Sequence, residues 1–136
     1  MTRLRWLVLL TAFNGSLFAG KPPLFEIHEA TVEGLGKVSI AGVNPFIVIR
    51  EVRAAKLAVD NKGVAICLTS EDTKKFADLS RSHFHKYLVA KATDEIMVVL
   101  YFSAANLDGC LVFHHPEEGA MAAYLRNRLH LRPAKT

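Results

Sequence analysis

Residues 59–80, with the sequence VDNKGVAICLTSEDTKKFADLS, constrain the fold of this chain more than any other stretch. Residues 60–63, DNKG, have Asp at the first and Gly at the fourth position of a turn, a composition typical of β-turns. Apolar residues alternate with others on both sides, over residues 54–59 and 64–69, as they do in strands. The stretch therefore begins with a predicted antiparallel hairpin.

The residues that follow this hairpin predict a helix. Thr69 and Ser70 carry hydroxyl groups that can cap free amide groups, and the acidic pair after them favours the positive end of a helix dipole. Phe76, Ala77 and Leu79 then form an apolar stripe with charged residues outside it. Ser70 is better explained as a helix cap than as a nucleophile.

A similar order of elements recurs downstream. Residues 96–102 form a strongly apolar strand, residues 106–109 (NLDG) a turn, and residues 110–114 a partner strand. A helix follows from Pro116 to about Leu129, with proline at a tolerated first position. Two β-β-α units predict an α+β fold in which one antiparallel sheet carries both helices on the same face.

Upstream of the first hairpin the patterns are weaker. Phe25–Glu29 alternates apolar and polar residues and predicts a short strand. Glycines interrupt residues 30–45, which predicts a looser segment. Residues 46–52 are rich in β-branched side chains after Pro45 and predict an extended run.

The first 19 residues have the composition of a secretory signal peptide. Arg3 and Arg5 precede the almost wholly apolar residues 6–13, and Ala19 offers a small residue for cleavage. The apolar stretch is shorter than the roughly 20 residues of a spanning helix. We therefore expect cleavage after Ala19, no stable membrane span, and one periplasmic or secreted domain, residues 20–136. An uncleaved anchor is the alternative.

The charges of the chain do not indicate a nucleic-acid partner. There are 17 Lys and Arg residues against 13 Asp and Glu, and two of the basic residues belong to the signal segment. The others are scattered, apart from Arg126, Arg128, Arg132 and Lys135 near the C-terminus, and no basic stripe is interleaved with aromatic residues. We therefore expect no nucleic-acid binding.

Cys67 and Cys110 are the only cysteines. Export to an oxidising compartment would allow a disulfide between them. Each also lies in an apolar strand pattern, where a cysteine can serve as a small buried hydrophobic residue. A disulfide needs Cα atoms within about 7 Å of each other, which a sequence cannot establish. Both interpretations stay open.

The histidines supply the main argument for an enzyme or a metal site. His83 and His85 could converge with His114 and His115 if the end of the first helix lay near the end of the last strand. This convergence is the basis of the alternative function, a small periplasmic hydrolase or metal-binding protein. Metal sites need ligands at fixed spacing, and solvated histidines at element ends explain the same pattern more simply.

Other motifs also favour a structural explanation. No serine has a Gly-x-Ser-x-Gly context, and residues 34–37, GLGK, lack the length and the following Ser or Thr of a phosphate loop. The carboxylates at residues 71–72 and 94–95 provide no general acid and base pair. We therefore expect no catalytic, cofactor-binding or metal-binding residues, and a protein that is not an enzyme.

Residues 52–129 resemble the head subdomain of the first periplasmic domain of SecD, the accessory subunit of the bacterial protein-export translocase. The resemblance lies in AAKLAVDNKGVAICLTSEDTKKFADLS, in KYLVAKATDEIMVVLYF and in the closing helix EEGAMAAYLRNRL. In that family the head is thought to contact emerging preprotein, so the resemblance implies a binding surface without catalysis. The membrane spans and intramembrane acidic residues of SecD have no counterpart in this sequence. We therefore expect a free-standing exported binding module.

The most apolar stretch after the signal segment is EIMVVLYFSA, residues 95–104. Alternation divides such a strand into two faces. One face has Ile96, Val98, Leu100 and Phe102; the other has Met97, Val99 and Tyr101. If both helices cover one face of the sheet, one set lies on the open face, where an apolar surface marks a contact site. We predict that Met97, Val99 and Tyr101 bind a protein or peptide partner, or a second copy of the chain. The alternative is that residues 30–45 fold over them.

Overall fold

The computed structural model describes residues 22–133. Within this range the chain forms antiparallel strands and two α-helices, so the predicted α+β class is confirmed. The predicted signal peptide, residues 1–19, lies outside the described residues. In chain order the elements are β1 (Phe25–Glu33), β2 (Lys37–Ile40), β3 (Ile47–Ile49), β4 (Val52–Leu57), β5 (Val64–Leu68), α1 (Ser70–Ser82), β6 (Tyr87–Lys91), β7 (Met97–Tyr101), β8 (Cys110–Phe113) and α2 (Gly119–Arg128).

The strands form two antiparallel sheets. The first has the order β2-β1-β6-β7, and β3 pairs with β1 as well. Strands β2 and β3 pair with the same edge of β1 at different places. Residues Phe25–Ile27 of β1 pair with β3, and Ala30–Glu33 pair with β2. The second sheet has the order β4-β5-β8. Strand β7 therefore lies at an edge of the first sheet.

The predicted pairing of residues 96–102 with residues 110–114 is wrong. Strand β7 pairs with β6, and β8 pairs with β5, so the two segments belong to different sheets. The turn after β6 is short, since the Ala92 amide donates to the Ile96 carbonyl at 2.9 Å. This local connection gives β7 a partner close in sequence. The single sheet expected from two β-β-α units is thus replaced by two sheets.

The predicted hairpin and first helix are confirmed. At the turn, Asp60 Oδ1 accepts hydrogen bonds from the amides of Gly63 and Lys62, each at 2.9 Å. These two bonds, first that from Gly63, lower the pKa of Asp60 below its usual value of 3.8. At the start of α1, Thr69 Oγ1 accepts from the Asp72 amide at 3.2 Å. The cap is therefore Thr69, and Ser70 is the first helical residue, so the explanation of Ser70 as the cap is wrong.

The second helix begins later than predicted. Its first residue is Gly119, whereas Pro116 follows a cis peptide bond and lies in a turn. Upstream, residues 30–45 are more regular than expected, because β1 continues to Glu33 and β2 returns beside it. The glycines at residues 34–36 form the turn of this hairpin, as the structural explanation of GLGK predicts.

One buried cluster joins the two sheets and the two helices. Phe25 of β1 meets Phe113 of β8 edge to face, with ring centroids 6.0 Å apart, and Phe76 of α1 meets Phe102 at 5.2 Å. Aromatic pairs of this geometry add to the stabilisation from apolar burial. The other fully buried members include Ile27, Ile49, Ile66, Leu68, Leu88, Met121 and Leu125. No helix within residues 22–133 is long and apolar enough to cross a membrane.

A disulfide joins Cys67 of β5 to Cys110 of β8, with an S–S distance of 2.10 Å and Cα atoms 4.0 Å apart. The Leu68 amide donates to the Gly109 carbonyl at 2.9 Å. The adjacent cysteine pair therefore occupies a non-hydrogen-bonded position of the ladder, where facing side chains come closest. Both cysteines are partly exposed. The disulfide, rather than a buried hydrophobic role, is thus the interpretation that the structure supports.

Candidate binding face on the first sheet

Met97, Val99 and Tyr101 lie on the face of the first sheet that is turned away from the buried cluster. Their exposed fractions are 51%, 47% and 50%, whereas Phe102, on the opposite face, is 7% exposed. Val98 and Leu100 pack against the cluster. The division into two faces is therefore confirmed, and the alternative that residues 30–45 bury this set is wrong.

Side chains of β6 share this face with those of β7, but not all of them are exposed. Across the β6–β7 ladder, Val99 lies opposite Val89, and Tyr101 lies opposite Tyr87. Tyr87 is itself 42% exposed, whereas Val89 is buried, with 3% of its surface exposed. The remaining cross-strand neighbour, opposite Met97, is Lys91. The face is therefore largely apolar, with a charge at one end.

A groove of about 520 Å³ runs along this face. One wall is formed by Lys37–Ile40 of β2, and the other includes Val89, Met97 and Val99. Lys91 also lines the groove, and its Nζ lies 3.0 Å from Asp94 Oδ1. Residues 30–45 were the segment that could have folded over this face. Part of that segment, strand β2, instead forms a side wall of the groove. An extended apolar chain could lie between the two walls.

Tyr101 is held in place by contacts at the other end of the face. Its ring lies 5.2 Å from that of Tyr87, and its hydroxyl lies 2.9 Å from His85 Nδ1. Aromatic side chains that are already ordered lose little conformational freedom when a partner binds. Tyr101 is thus ordered by its neighbours although half of its surface is exposed.

The same three residues also present backbone groups at an unpaired edge. In an antiparallel ladder, hydrogen-bonded residue pairs alternate with pairs that are not hydrogen-bonded. Because the Ala92 amide donates to the Ile96 carbonyl, Val98 and Leu100 belong to hydrogen-bonded pairs and direct their amide and carbonyl groups towards β6. The intervening residues, Met97, Val99 and Tyr101, direct theirs away from β6. Among residues 22–133 no strand pairs with that side of β7. Side chains and free backbone groups of one short segment are therefore available together.

His28 is a feature of this face that sequence reasoning missed. It lies opposite Val89 in the ladder and is only 4% exposed. Its Nε2 is 3.3 Å from Glu26 Oε1, and its buried Nδ1 has no hydrogen-bond partner among the described residues. The alternation of Phe25–Glu29 signals that His28 shares a strand face with Glu26. Its burial depends on elements that are distant in sequence.

Strand β6 is the other part of the site that the sequence reasoning did not assign. Its sequence YLVAK is short, and three consecutive residues, Leu88, Val89 and Ala90, are buried. The available signal was this apolar run, which lacks the alternation of a half-exposed strand.

The histidines proposed for a metal or catalytic site do not converge. The ring of His83 lies 5.3 Å from that of Phe46 at the end of α1, while His85 contacts Tyr101. His114 and His115 follow β8. Within residues 22–133, no group of three or more His, Cys, Asp or Glu side chains is arranged to hold a metal ion. The geometry therefore supports a contact face better than a site at these histidines.

Comparisons of the chain with models of protein families, with curated proteins and with solved structures found no match. The resemblance to the SecD head stays a prediction from sequence motifs. The features that indicate a function are consequently the open face and the unpaired edge of β7.

Proposed function

We propose that this protein is an exported, non-catalytic binding module that holds an extended segment of another protein against β7. One observation carries the proposal: Met97, Val99 and Tyr101 expose apolar side chains and free backbone groups at the same edge. Addition of a strand to an exposed sheet edge is a recurrent mode of peptide recognition. The expected periplasmic or secreted location, and the resemblance to a domain thought to contact preproteins, agree with a polypeptide ligand.

In this mechanism the backbone provides affinity and the open face provides selectivity. A bound strand would pair its amide and carbonyl groups with those of β7, and every second side chain would face the groove. Val99 and Met97 favour apolar side chains there, because contact removes their exposed apolar surface from water, whereas Val89 is already buried. Lys37 adds a positive charge, and among the described residues it has no ion-pair partner. We therefore expect a preference for apolar extended segments that are neutral or acidic.

The test combines Val99→Ser with Tyr101→Thr. Because both side chains are about half exposed, the free energy of unfolding should change by no more than about 1 kcal/mol. Capture of polypeptides from the compartment in which the protein accumulates should be lost. Photo-crosslinking from position 101 should map the contact to the captured chain.

A matched control is Val112→Ser on β8. Val112 is 44% exposed and also lies on an edge strand, but in the second sheet. This variant should retain capture. A large loss of stability in the double variant without loss of capture would show that the open face is ordinary core and would refute the proposal.

A further inference from the structure

The edge of β7 lacks the features that protect the edges of β2, β3 and β4. Proteins protect exposed edges with charged residues, prolines, bulges or very short strands. Strand β4 has Arg53, Lys56 and a register shift between Val52 and Ala54. Strand β2 has a lysine and β3 has only 3 residues, while β8, CLVF, is one residue shorter than β7. Strand β7, MVVLY, has no charge, no proline and an uninterrupted register.

We propose that a second copy of this protein occupies the β7 edge, through antiparallel pairing of the two β7 strands about a two-fold axis at Val99. The inference concerns the same strand as the proposed function but does not depend on it. A self-paired edge is protected from other chains, and a polypeptide ligand would have to replace the second copy. A second copy can thus occupy the edge when no polypeptide ligand is bound.

The sequence of β7 is self-complementary in this arrangement. Val99 lies opposite the partner subunit's Val99, and Met97 lies opposite the partner subunit's Tyr101. These are the residues whose backbone groups point to the free edge, so each facing pair can form ladder hydrogen bonds. Methionine sulfur also makes favourable contacts with aromatic rings. No charged residue faces a like charge within the strand, which is the condition for an isologous interface.

Charges at the two ends of β7 select the antiparallel orientation. Glu95 precedes the strand, and no ion pair within residues 22–133 involves it. Asp94, beside it, is neutralised by Lys91. His85 and Lys86 lie at the other end, where β6 begins. Antiparallel pairing brings the acidic end of one copy towards the basic end of the other, whereas parallel pairing would place Glu95 beside itself.

The dimer should be weak and reversible. Pairing of single edge strands buries an area at the low end of specific interfaces, below about 1,200 Å². The two open faces lie on the same side of the joined sheet, so the apolar face becomes continuous across the axis. We therefore expect self-association that depends on concentration in the micromolar range or above.

The first experiment is sedimentation velocity over a series of protein concentrations. The sample is protein purified from the compartment in which it accumulates. Wild type should shift from one copy to two as concentration rises. Val99→Lys should remove the shift, because two lysines would face each other at the axis. Val112→Lys, at a similarly exposed valine on β8, should dimerise like wild type. Circular dichroism shows whether each variant is folded.

Mixing variants tests the position of the axis. Val99→Lys and Val99→Glu should each be monomeric, and an equimolar mixture should dimerise, because position 99 faces itself. A wild type that is monomeric at all concentrations, or that assembles beyond two copies, would overturn the proposal. A dimeric Val99→Lys, or a mixture that stays monomeric, would overturn the pairing at Val99.

Amide hydrogen exchange of wild type supplies a test that needs no variant. On dimerisation, exchange should slow at Met97, Val99 and Tyr101. Val98 and Leu100 should be protected at every concentration, because their amides pair with β6. Dimers without this added protection would show that another surface associates. Capture of polypeptides is not measured in these experiments, so they can fail while the proposed function holds.

Discussion

Removal of the Cys67–Cys110 disulfide should destabilise the fold mainly through the unfolded chain. The bond joins residues 43 apart in sequence. In the chain-entropy treatment, a loop of that length contributes about 4 kcal/mol at 25 °C. Both cysteines are partly exposed on the outer face of the second sheet, so alanine at these positions removes little buried volume. We therefore expect Cys67→Ala with Cys110→Ala to lower the free energy of unfolding by about 4 kcal/mol.

Urea denaturation followed by circular dichroism measures this loss. The dependence of the free energy of unfolding on urea concentration should become slightly steeper, because an unfolded chain without the cross-link exposes more surface. The midpoint of thermal unfolding should fall by about 15 °C for a domain of this size. Reduction of the disulfide in wild type should lower the free energy of unfolding as much as the double replacement does. Each single replacement should also lower it by the same amount, since either one removes the same bond. A loss below about 1 kcal/mol, or single losses that add, would refute a cross-link effect.

Three further predictions concern local structure. Gly109→Ala should cost more than about 1 kcal/mol in urea denaturation, because its φ is +70° and a Cβ would collide with the Thr73 side chain; a neutral effect would contradict this packing. Thr69→Ala should cost about 1 kcal/mol through loss of the helix cap, whereas Ser70→Ala should be nearly neutral; the reverse order would make Ser70 the cap. The carboxyl of Asp60 should titrate below 3.8 by NMR. Its stabilising contribution should be complete above the unfolded pKa and lost as pH falls through the folded value; a midpoint at or above 3.8 would contradict the turn hydrogen bonds.

Elements whose determinants lie within a few residues could be predicted from the sequence. The turn at residues 60–63 is stabilised by its own Asp60, and α1 begins at a hydroxyl cap next to acidic residues. Alternation along β7 likewise assigns Met97, Val99 and Tyr101 to one face. These features depend on backbone geometry and short-range hydrogen bonds.

The partner of each strand could not be predicted in the same way. Strands β7 and β8 are apolar and are joined by a turn, which suggests a hairpin. Instead β7 pairs with β6, and β8 pairs with β5, where the two facing cysteines are 43 residues apart in sequence. Pairing of this kind depends on how side chains from distant segments fill a common core. The disulfide follows from the same pairing.

For the binding face, the sequence by itself determined which residues share a surface, and the tertiary structure decided whether that surface is free. Met97, Val99 and Tyr101 share a face because strand side chains alternate. That this face is open, that β2 forms a groove wall beside it, and that β7 is an unpaired edge are set by the order of strands in the first sheet. The physical reason is that alternation is a property of one strand, whereas burial and edge position depend on what every other strand and helix covers.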